Sequence, residues 1–211
     1  MLAVGEHYMH HVGFDDLPDE NTMTKLARVQ MIDFMCRMKS EQCLSEMHNK
    51  LKSHIDDKEK LPVNLESSAF CFGLMASALS NNDSRLIEAL WKEMQASGNA
   101  EYRLRIIRSL GCYGDVKSLF DFLETILAST SEVRYLAAEN FEIIQSVYSN
   151  TNEGVEATIN FMIEFRNDAV RRSQKTNLIE ILLENLSRRI FNQEMFTKVS
   201  RTEVFFFKKS D

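Results

Sequence analysis

Two prolines and seven glycines are few for a chain of 211 residues. Several short strands joined by tight turns would need many more of both, so their scarcity predicts long helices with few breaks. Long hydrophobic runs are missing as well, and no stretch reaches the roughly 18 apolar residues of a membrane helix. The first residues also lack the basic start and apolar run of a secretory signal. We therefore expect no direct membrane span within this chain.

An excess of positive charge is also absent. The chain has 25 basic and 31 acidic residues, which gives a net charge of −6. Phosphate backbones are bound by basic surfaces, so this balance argues against nucleic acid as a partner. Hydrophobic residues make up 44% of the chain and charged residues 27%, as in soluble globular proteins that bury a sizeable core.

Apolar residues recur at helical spacing along most of the chain. In the segment DVKSLFDFLETILAS they form one stripe, which consists of Val116, Leu119, Phe120, Leu123, Ile126 and Leu127. Similar segments recur at offsets of about 30 to 40 residues, which is typical of HEAT-type helix-pair repeats. The sequence predicts an all-α fold, an α-α superhelix of antiparallel helix pairs with HEAT-like repeats. We expect a single domain over residues 1–211, with a tail at 201–211.

Three histidines lie close together in the opening segment GEHYMHHVGF, at positions His7, His10 and His11. The catalytic zinc motif H-E-x-x-H needs its glutamate directly after the first histidine, where it acts as general base. Here Glu6 precedes His7, and the inverted motif H-x-x-E-H fails because position 10 is histidine. We interpret this segment as the polar face of a terminal helix, with a zinc site as the alternative.

No other catalytic pattern is present. The sequence lacks a G-x-S-x-G nucleophile motif and a glycine-rich phosphate loop, and no cysteine–histidine pair has supporting context. We therefore assign no catalytic residue, no metal ligand and no cofactor to this chain. Whether it belongs to an enzyme has to be decided on other grounds.

The four cysteines are Cys36, Cys43, Cys71 and Cys112, and no two of them form a C-x-x-C motif. A zinc ribbon or a thioredoxin-like site is therefore not expected. Cys36 and Cys43 flank a predicted turn between helices, and Cys71 and Cys112 are about one repeat apart. The two cysteines of each pair could therefore come within disulfide range. From spacing alone, two disulfides and four buried free thiols are both consistent with the sequence.

Two further groups of residues have both a functional and a structural interpretation. The N-x-S/T sequons at Asn82 and Asn185 are glycosylation sites only if the protein is secreted. Arg103 and Arg105 lie on one predicted helix. They form either a solvated surface or a basic patch suited to a carboxylate or an acidic peptide segment.

Three segments together resemble a known family: LPVNLESSAFCFGL, RLRIIRSLGCYGDVKSLFDFLETIL and EVRYLAAENFEIIQSVYSNTNEGVEATINFMIEF. They are similar to the C-terminal helical domain of the zinc aminopeptidases related to aminopeptidase N, in the part named after the endoplasmic reticulum aminopeptidases. The segment VGFDDLPDENTMTKLARVQMIDFMCRMKSEQC looks like that family's pattern of VGF, an arginine and two cysteines. The likeness covers nearly the whole chain.

The resemblance implies two disulfides, Cys36–Cys43 and Cys71–Cys112, and a parent protein in an oxidising compartment. It also implies a bowl of stacked helix pairs that caps a thermolysin-like catalytic domain. Together the two domains of that family enclose a chamber in which the N-terminal residue of a peptide is cleaved off. The family's zinc motif and its G-x-M-E-N substrate loop lie in another domain and are absent here.

We therefore hypothesise that this chain is the non-catalytic C-terminal domain of an aminopeptidase N-like zinc metalloprotease. It would cap and gate the peptide chamber of a membrane-anchored, glycosylated ectoenzyme at the cell surface, whose catalytic domain holds the zinc and belongs to the same polypeptide. Arg103, Arg105 and Arg134 are the residues that we expect to face peptide substrates. The alternative is a stand-alone HEAT-like scaffold that binds protein partners in the cytoplasm and has four free thiols.

Overall fold

The computed structural model describes residues 2–80, 84–127, 137–167, 184–190, 193–198 and 200. Within these ranges it contains no β-strand. Its α-helices of eleven residues or more are α1 (Leu2–Val12), α2 (Thr22–Arg37), α3 (Glu41–Asp56), α4 (Val63–Ser80), α5 (Arg85–Ala96), α6 (Ala100–Leu110), α7 (Val116–Leu127), α8 (Ala137–Asn150) and α9 (Asn152–Asn167). The predicted all-α class is confirmed. The predicted tail at 201–211 lies outside the described residues.

The chain divides into two compact units, Met1–Tyr113 and Gly114–Asp211. Helices α1 to α6 belong to the first unit, and α7 to α9 belong to the second. The expectation of a single domain over the whole chain stays a prediction.

Helices α3 and α4 of the first unit form an antiparallel pair. A Cβ placed on Gly73, ten residues into α4, would lie 2.7 Å from the Cβ of Leu51 and 2.9 Å from the carbonyl oxygen of Met47. Leu51 and Met47 precede the end of α3, so α4 runs back along α3 after a short loop. This close approach depends on the missing side chain at Gly73, because any Cβ would meet the α3 backbone.

Helices α4 and α6 run in the same direction, with α5 between them in the sequence. Arg105 of α6 donates to Glu66 of α4 at 2.7 Å. Further along α4, Cys71 is bonded to Cys112 in the turn that follows α6. Alternate helices that run parallel, each joined by an intervening return helix, are what an α-α superhelix of helix pairs requires. The predicted helix-pair architecture agrees with this packing.

The second unit buries two residues in the middle of the apolar stripe that the sequence predicted for α7. Leu119 and Leu123 are fully buried, as is Ile143 of α8. The rings of Phe120 in α7 and Phe161 in α9 meet edge to face, with their centroids 6.3 Å apart. The helical spacing of these residues therefore reports a real core face, because the same side of α7 packs against its neighbours.

Polar side chains fix the points at which several helices begin. The side-chain oxygen of Asn21 accepts from the backbone N–H of Thr24 at 2.9 Å, and the Asn99 oxygen accepts from Tyr102 at 3.1 Å. Each bond satisfies an N–H that has no partner inside its helix. The short links between helices therefore carry their own stop and start signals, which is why so few prolines and glycines suffice.

A fully buried arginine organises the segment between α1 and α2. The Arg28 guanidinium donates to Asp16 at 2.7 Å, to both carboxylate oxygens of Glu20, and to the carbonyl oxygens of Val12 at 3.2 Å and Gly13 at 3.1 Å. These five bonds use all five N–H groups of the side chain. The cation is thus neutralised and fully hydrogen-bonded inside the protein, which is the condition under which a buried charge is tolerated.

The same segment is tied to two further helices. Lys50 of α3 forms an ion pair with Asp15, and the side-chain amide of Asn64 in α4 donates to Asp16 at 3.4 Å. Residues 13–20 therefore connect α1, α2, α3 and α4 at one end of the first unit. The hydrogen bond from Arg28 also lowers the pKa of Glu20.

The close packing at Gly73 predicts a graded response to alanine. Gly73→Ala should lower the free energy of unfolding by about 1–3 kcal/mol because Leu51 and the Met47 carbonyl must move. Gly154→Ala should cost more, since its Cβ would lie 1.8 Å from the carbonyl oxygen of Val147. Gly98→Ala is the matched control, with nothing within 4 Å, and should be neutral or slightly stabilising. Urea unfolding measures all three, and equal losses would contradict the packing described.

Removal of Arg28 should be the most damaging change of charge in the first unit. Arg28→Met leaves Asp16 and Glu20, which are 14% and 10% exposed, without their counter-ion and removes all five hydrogen bonds of the guanidinium, so we expect a loss of about 3 kcal/mol. Arg37→Met is the control, because Arg37 and its partner Asp33 are 54% and 43% exposed. This pair and the contact of the Arg37 guanidinium with the Phe72 ring should each contribute about 1 kcal/mol or less. Urea unfolding at neutral pH compares the two variants.

The acid side of the stability curve gives a second readout of the same interaction. The lowered pKa of Glu20 stabilises the fold above the ordinary glutamate pKa of about 4.3, and this contribution is lost as the pH falls below that value. In Arg28→Met the contribution is already gone, so the variant should lose less stability on acidification than the parent. Parallel pH profiles of the two proteins would contradict this account.

Candidate functional site

The opening histidines lie on the exposed surface of α1 and do not form a metal centre. His7, His10 and His11 are exposed, and the Nδ1 of His11 lies 2.9 Å from the carbonyl oxygen of His7. The rings of His7 and His11 are in contact, with centroids 4.5 Å apart. Among the described residues, no group of three or more His, Cys, Asp or Glu side chains is placed to hold a metal ion. The resemblance assigns its zinc to another domain, and the described residues of this chain offer no set of ligands for it.

A polar cluster of His54, Glu93 and Tyr102 lies between α3, α5 and α6. The Tyr102 hydroxyl donates to Glu93 at 2.7 Å, and the Nε2 of His54 lies 3.3 Å from both partners. The Nδ1 of His54 lies 2.9 Å from the Glu59 carbonyl oxygen. Burial, and secondly the hydrogen bond to Glu93, raises the pKa of Tyr102. The phenol stays protonated at neutral pH, so the cluster fastens three helices and presents no activated nucleophile.

Arg105 is held by carboxylates of its own unit. Its Nε donates to Glu66 at 2.7 Å and its Nη1 lies 3.3 Å from a carboxylate oxygen of Glu101. Its Cζ lies over the Tyr102 ring, 5.8 Å from the ring centroid. The Arg105 and Glu66 side chains are 19% and 12% exposed. This geometry favours a bond between α4 and α6 as the main role of Arg105.

The other two arginines expected to face peptide are less defined. Arg103 is half-buried on α6. It lies two positions before Arg105, which places the two side chains on nearly opposite faces of the helix. Arg134 lies outside the described residues. The expectation that Arg103, Arg105 and Arg134 contact peptide stays a prediction.

Both disulfides implied by the family resemblance are present in the structure. Cys36 and Cys43 join the end of α2 to the start of α3 across 7 positions, with a Cα–Cα distance of 5.3 Å. Cys71 and Cys112 join α4 to the turn after α6 across 41 positions, with a Cα–Cα distance of 5.1 Å. No cysteine of the chain is free. The alternative of four buried thiols is not what the structure contains.

Only one of the two sequons can be placed. Asn185 is half-buried in a short helical segment of the second unit, and Asn82 lies outside the described residues. Glycosylation at either position stays a prediction. Among the residues described, no helix is both long and apolar enough to cross a membrane.

These observations define a class: an all-α helix-pair protein with two disulfides, whose described residues hold no metal-binding cluster. Comparison with known proteins identifies the family. The family model of the ERAP1-like C-terminal domain matches residues 1–211, so the chain belongs to that family. A membrane alanyl aminopeptidase of Manduca sexta is 20% identical over 134 residues, which cover 64% of this chain and 13% of that protein. The chain thus spans only a small part of this relative's length.

The sequence reasoning missed the group around Arg28. Its signal was the arginine of the VGF segment, which follows a run rich in Asp and Glu at positions 15–20. One arginine eight residues after such a run is compatible with an exposed charge cluster as well. The burial of Arg28 distinguishes a buried ion network from an exposed charge cluster. Whether a charged side chain is buried cannot be read from the order of residues in the sequence.

The two disulfides should differ in how much they stabilise the chain. A closed loop restricts the unfolded chain more when it is longer, which gives about 4 kcal/mol for Cys71–Cys112 and about 2.5 kcal/mol for Cys36–Cys43. We therefore expect the double variant Cys71→Ala/Cys112→Ala to unfold at lower urea concentration than Cys36→Ala/Cys43→Ala. Alkylation of the unreduced parent chain under denaturing conditions should modify no cysteine, and after reduction it should modify four. Alkylation without prior reduction would contradict the disulfides.

Proposed function

We propose that this chain is the non-catalytic C-terminal domain of an aminopeptidase N-like zinc aminopeptidase, where it caps the peptide-binding chamber and gates access to it. The match of the ERAP1-like C-terminal domain model to residues 1–211 carries this proposal. The similarity to a membrane alanyl aminopeptidase supports the same direction. The chemistry would belong to a zinc-containing catalytic domain of the same polypeptide, and the bond cleaved would be the first peptide bond of the substrate.

The absence of a catalytic motif in the sequence is consistent with this division of labour. A capping domain needs a rigid surface, and several features of the first unit supply rigidity. The Arg28 group fixes one end, the Tyr102 cluster joins three helices, and two disulfides restrict the chain. A rigid framework of this kind suits a domain that encloses a substrate chamber, because its surface has to keep its shape while peptides enter and leave.

We further propose that the parent protein is located at the cell surface or outside the cell. Disulfides form and persist in oxidising compartments and are rare in the cytosol. In that setting Asn82 and Asn185 are acceptors for N-linked glycans, and the membrane anchor belongs to another part of the parent protein. Arg103, Arg105 and Arg134 are the proposed contacts to peptide substrates.

The alternative function is a stand-alone HEAT-like scaffold that binds protein partners in the cytoplasm. Its helix-pair packing would be the same, so the fold does not separate the two proposals. The disulfides favour the ectoenzyme, since a cytoplasmic scaffold would keep its cysteines reduced.

The test begins with the transcript that encodes this chain. We expect an in-frame H-E-x-x-H motif with a downstream glutamate before residue 1. The full polypeptide should release p-nitroaniline from an amino-acid p-nitroanilide, whereas the isolated chain should contain no zinc and release none. Deletion of residues 1–211 should reduce the activity of the full polypeptide by at least tenfold, measured as kcat/KM.

Two results would overturn the proposal. One is a transcript that encodes no zinc motif, and the other is hydrolysis by the isolated chain at a rate comparable to the full polypeptide. The matched control is the full polypeptide with Arg37→Met, which changes an exposed ion pair and should leave the hydrolysis rate unchanged.

A further inference from the structure

The polar cluster of His54, Glu93 and Tyr102 contains a contact that depends on how many protons the imidazole ring holds. The Nδ1 of His54 lies 2.9 Å from the carbonyl oxygen of Glu59. A carbonyl oxygen only accepts hydrogen bonds, so Nδ1 carries a proton and donates it. A neutral imidazole has a single N–H, and its other nitrogen is then an acceptor. With one proton on the ring, the Nε2 of His54 therefore presents a lone pair.

That lone pair faces an oxygen that has no proton to offer. Nε2 lies 3.3 Å from Oε1 of Glu93, and a carboxylate only accepts. The Tyr102 hydroxyl is also 3.3 Å from Nε2, but it is 2.7 Å from the same Oε1 of Glu93. The shorter distance assigns the hydroxyl proton to Glu93. The singly protonated ring thus places two acceptor atoms side by side, and two acceptors repel each other.

A second proton on His54 removes this conflict. Nε2–H then donates to Glu93, while Nδ1–H keeps its bond to the Glu59 carbonyl and Tyr102 keeps its bond to Glu93. The imidazolium and the carboxylate also carry opposite charges, and hydrogen bonds between charged groups are stronger than those between neutral ones. The contact between α3 and α5 therefore changes from repulsive to attractive when the ring takes up one proton.

The surroundings of the ring limit its access to water. The His54 side chain is 14% exposed and that of Glu93 is 33% exposed. The Phe70 ring of α4 packs against His54 with a centroid distance of 5.5 Å, and it meets the Tyr102 ring edge to face at 6.0 Å. Water can therefore replace the missing partner of Nε2 only in part, and the protonation of His54 is felt by its neighbours.

The other charged side chains that these helices bring near the ring are paired or exposed. The pairs are Glu66 with Arg105, Asp56 with Arg85, and Lys50 with Asp15. The exposed charges lie on α3 and in the loop that follows it, and they are Lys52, Asp57, Lys58, Glu59 and Lys60. In the part of the chain that the structure describes, Glu93 is the carboxylate at hydrogen-bond distance from His54.

We propose that His54 and Glu93 form a proton-dependent bond between α3 and α5, which fastens the first unit more tightly when His54 carries two protons. Tyr102 connects α6 to the same carboxylate, so one proton strengthens the junction of three helices. The unfolded chain lacks this contact, so the stabilisation is present at the acidic end of the histidine range of about pH 5 to 8 and is lost as the pH rises. The bond is a property of this chain and does not depend on the proposed function.

A double-mutant cycle at two pH values tests this bond. The whole chain carries Glu93→Gln, His54→Gln or both, and urea unfolding gives the midpoint of each variant at about pH 5.5 and at about pH 8. Glutamine at position 93 offers an amide N–H to Nε2 and an oxygen to Tyr102, so it satisfies the singly protonated ring. Glu88→Gln is the matched control, because it makes the same change of charge on α5, where Glu88 accepts from the Ser84 hydroxyl at 3.2 Å.

We expect Glu93→Gln to lower the urea midpoint by about 0.3 M at the acidic pH and to leave it unchanged or raise it at the alkaline pH. In the His54→Gln background, Glu93→Gln should have the same effect at both pH values. The control Glu88→Gln should also have the same effect at both. All other histidines are common to the parent and Glu93→Gln, so their protonation cancels in this comparison.

The proposal is overturned if Glu93→Gln changes the midpoint equally at both pH values while far-ultraviolet circular dichroism shows full helix content. It is also overturned if the pH dependence of the Glu93→Gln effect persists in the His54→Gln background, because its source would then be another group.

Discussion

The ion network around Arg28 is the constraint on which the first unit depends. Segment 13–20 has no regular secondary structure. Its polar groups are hydrogen-bonded to water in the unfolded chain, so replacing those bonds with bonds inside the segment would add little to the free energy of folding. Arg28 makes folding of the segment favourable because its planar guanidinium donates to two carboxylates and two backbone carbonyl oxygens at the same time. The neighbouring bonds of Lys50 and Asn64 then fix α3 and α4 to the same segment. A polar centre thus sets the positions of four helices around an apolar core.

The fold was largely readable from the sequence, because helical spacing of apolar residues is a local signal. The stripe of α7 was predicted and its members Leu119 and Leu123 are buried. The charged contacts were not readable in the same way. Arg105 belonged to a recognisable cluster of arginines, but its partner Glu66 lies on a different helix. Contacts between distant positions depend on how helices stack, and periodicity gives no information on that.

The cysteines show what each kind of reasoning can supply. Their spacing was compatible with two disulfides and with four thiols, and the pairing came from the family resemblance. The structure contains both pairs. The interpretation of the opening histidines was a local one, because it depended on the order of Glu6 and His7, which is wrong for the zinc motif.

The disulfide between Cys71 and Cys112 encloses the end of α4, all of α5 and all of α6 within one covalent ring. A protease that cuts a single peptide bond anywhere between positions 72 and 111 would therefore leave both fragments attached to each other. In an environment rich in extracellular proteases, a nicked molecule would keep its mass and its outline until the bond is reduced. Damage to the surface of this ring would accumulate without detachment of any part of the protein.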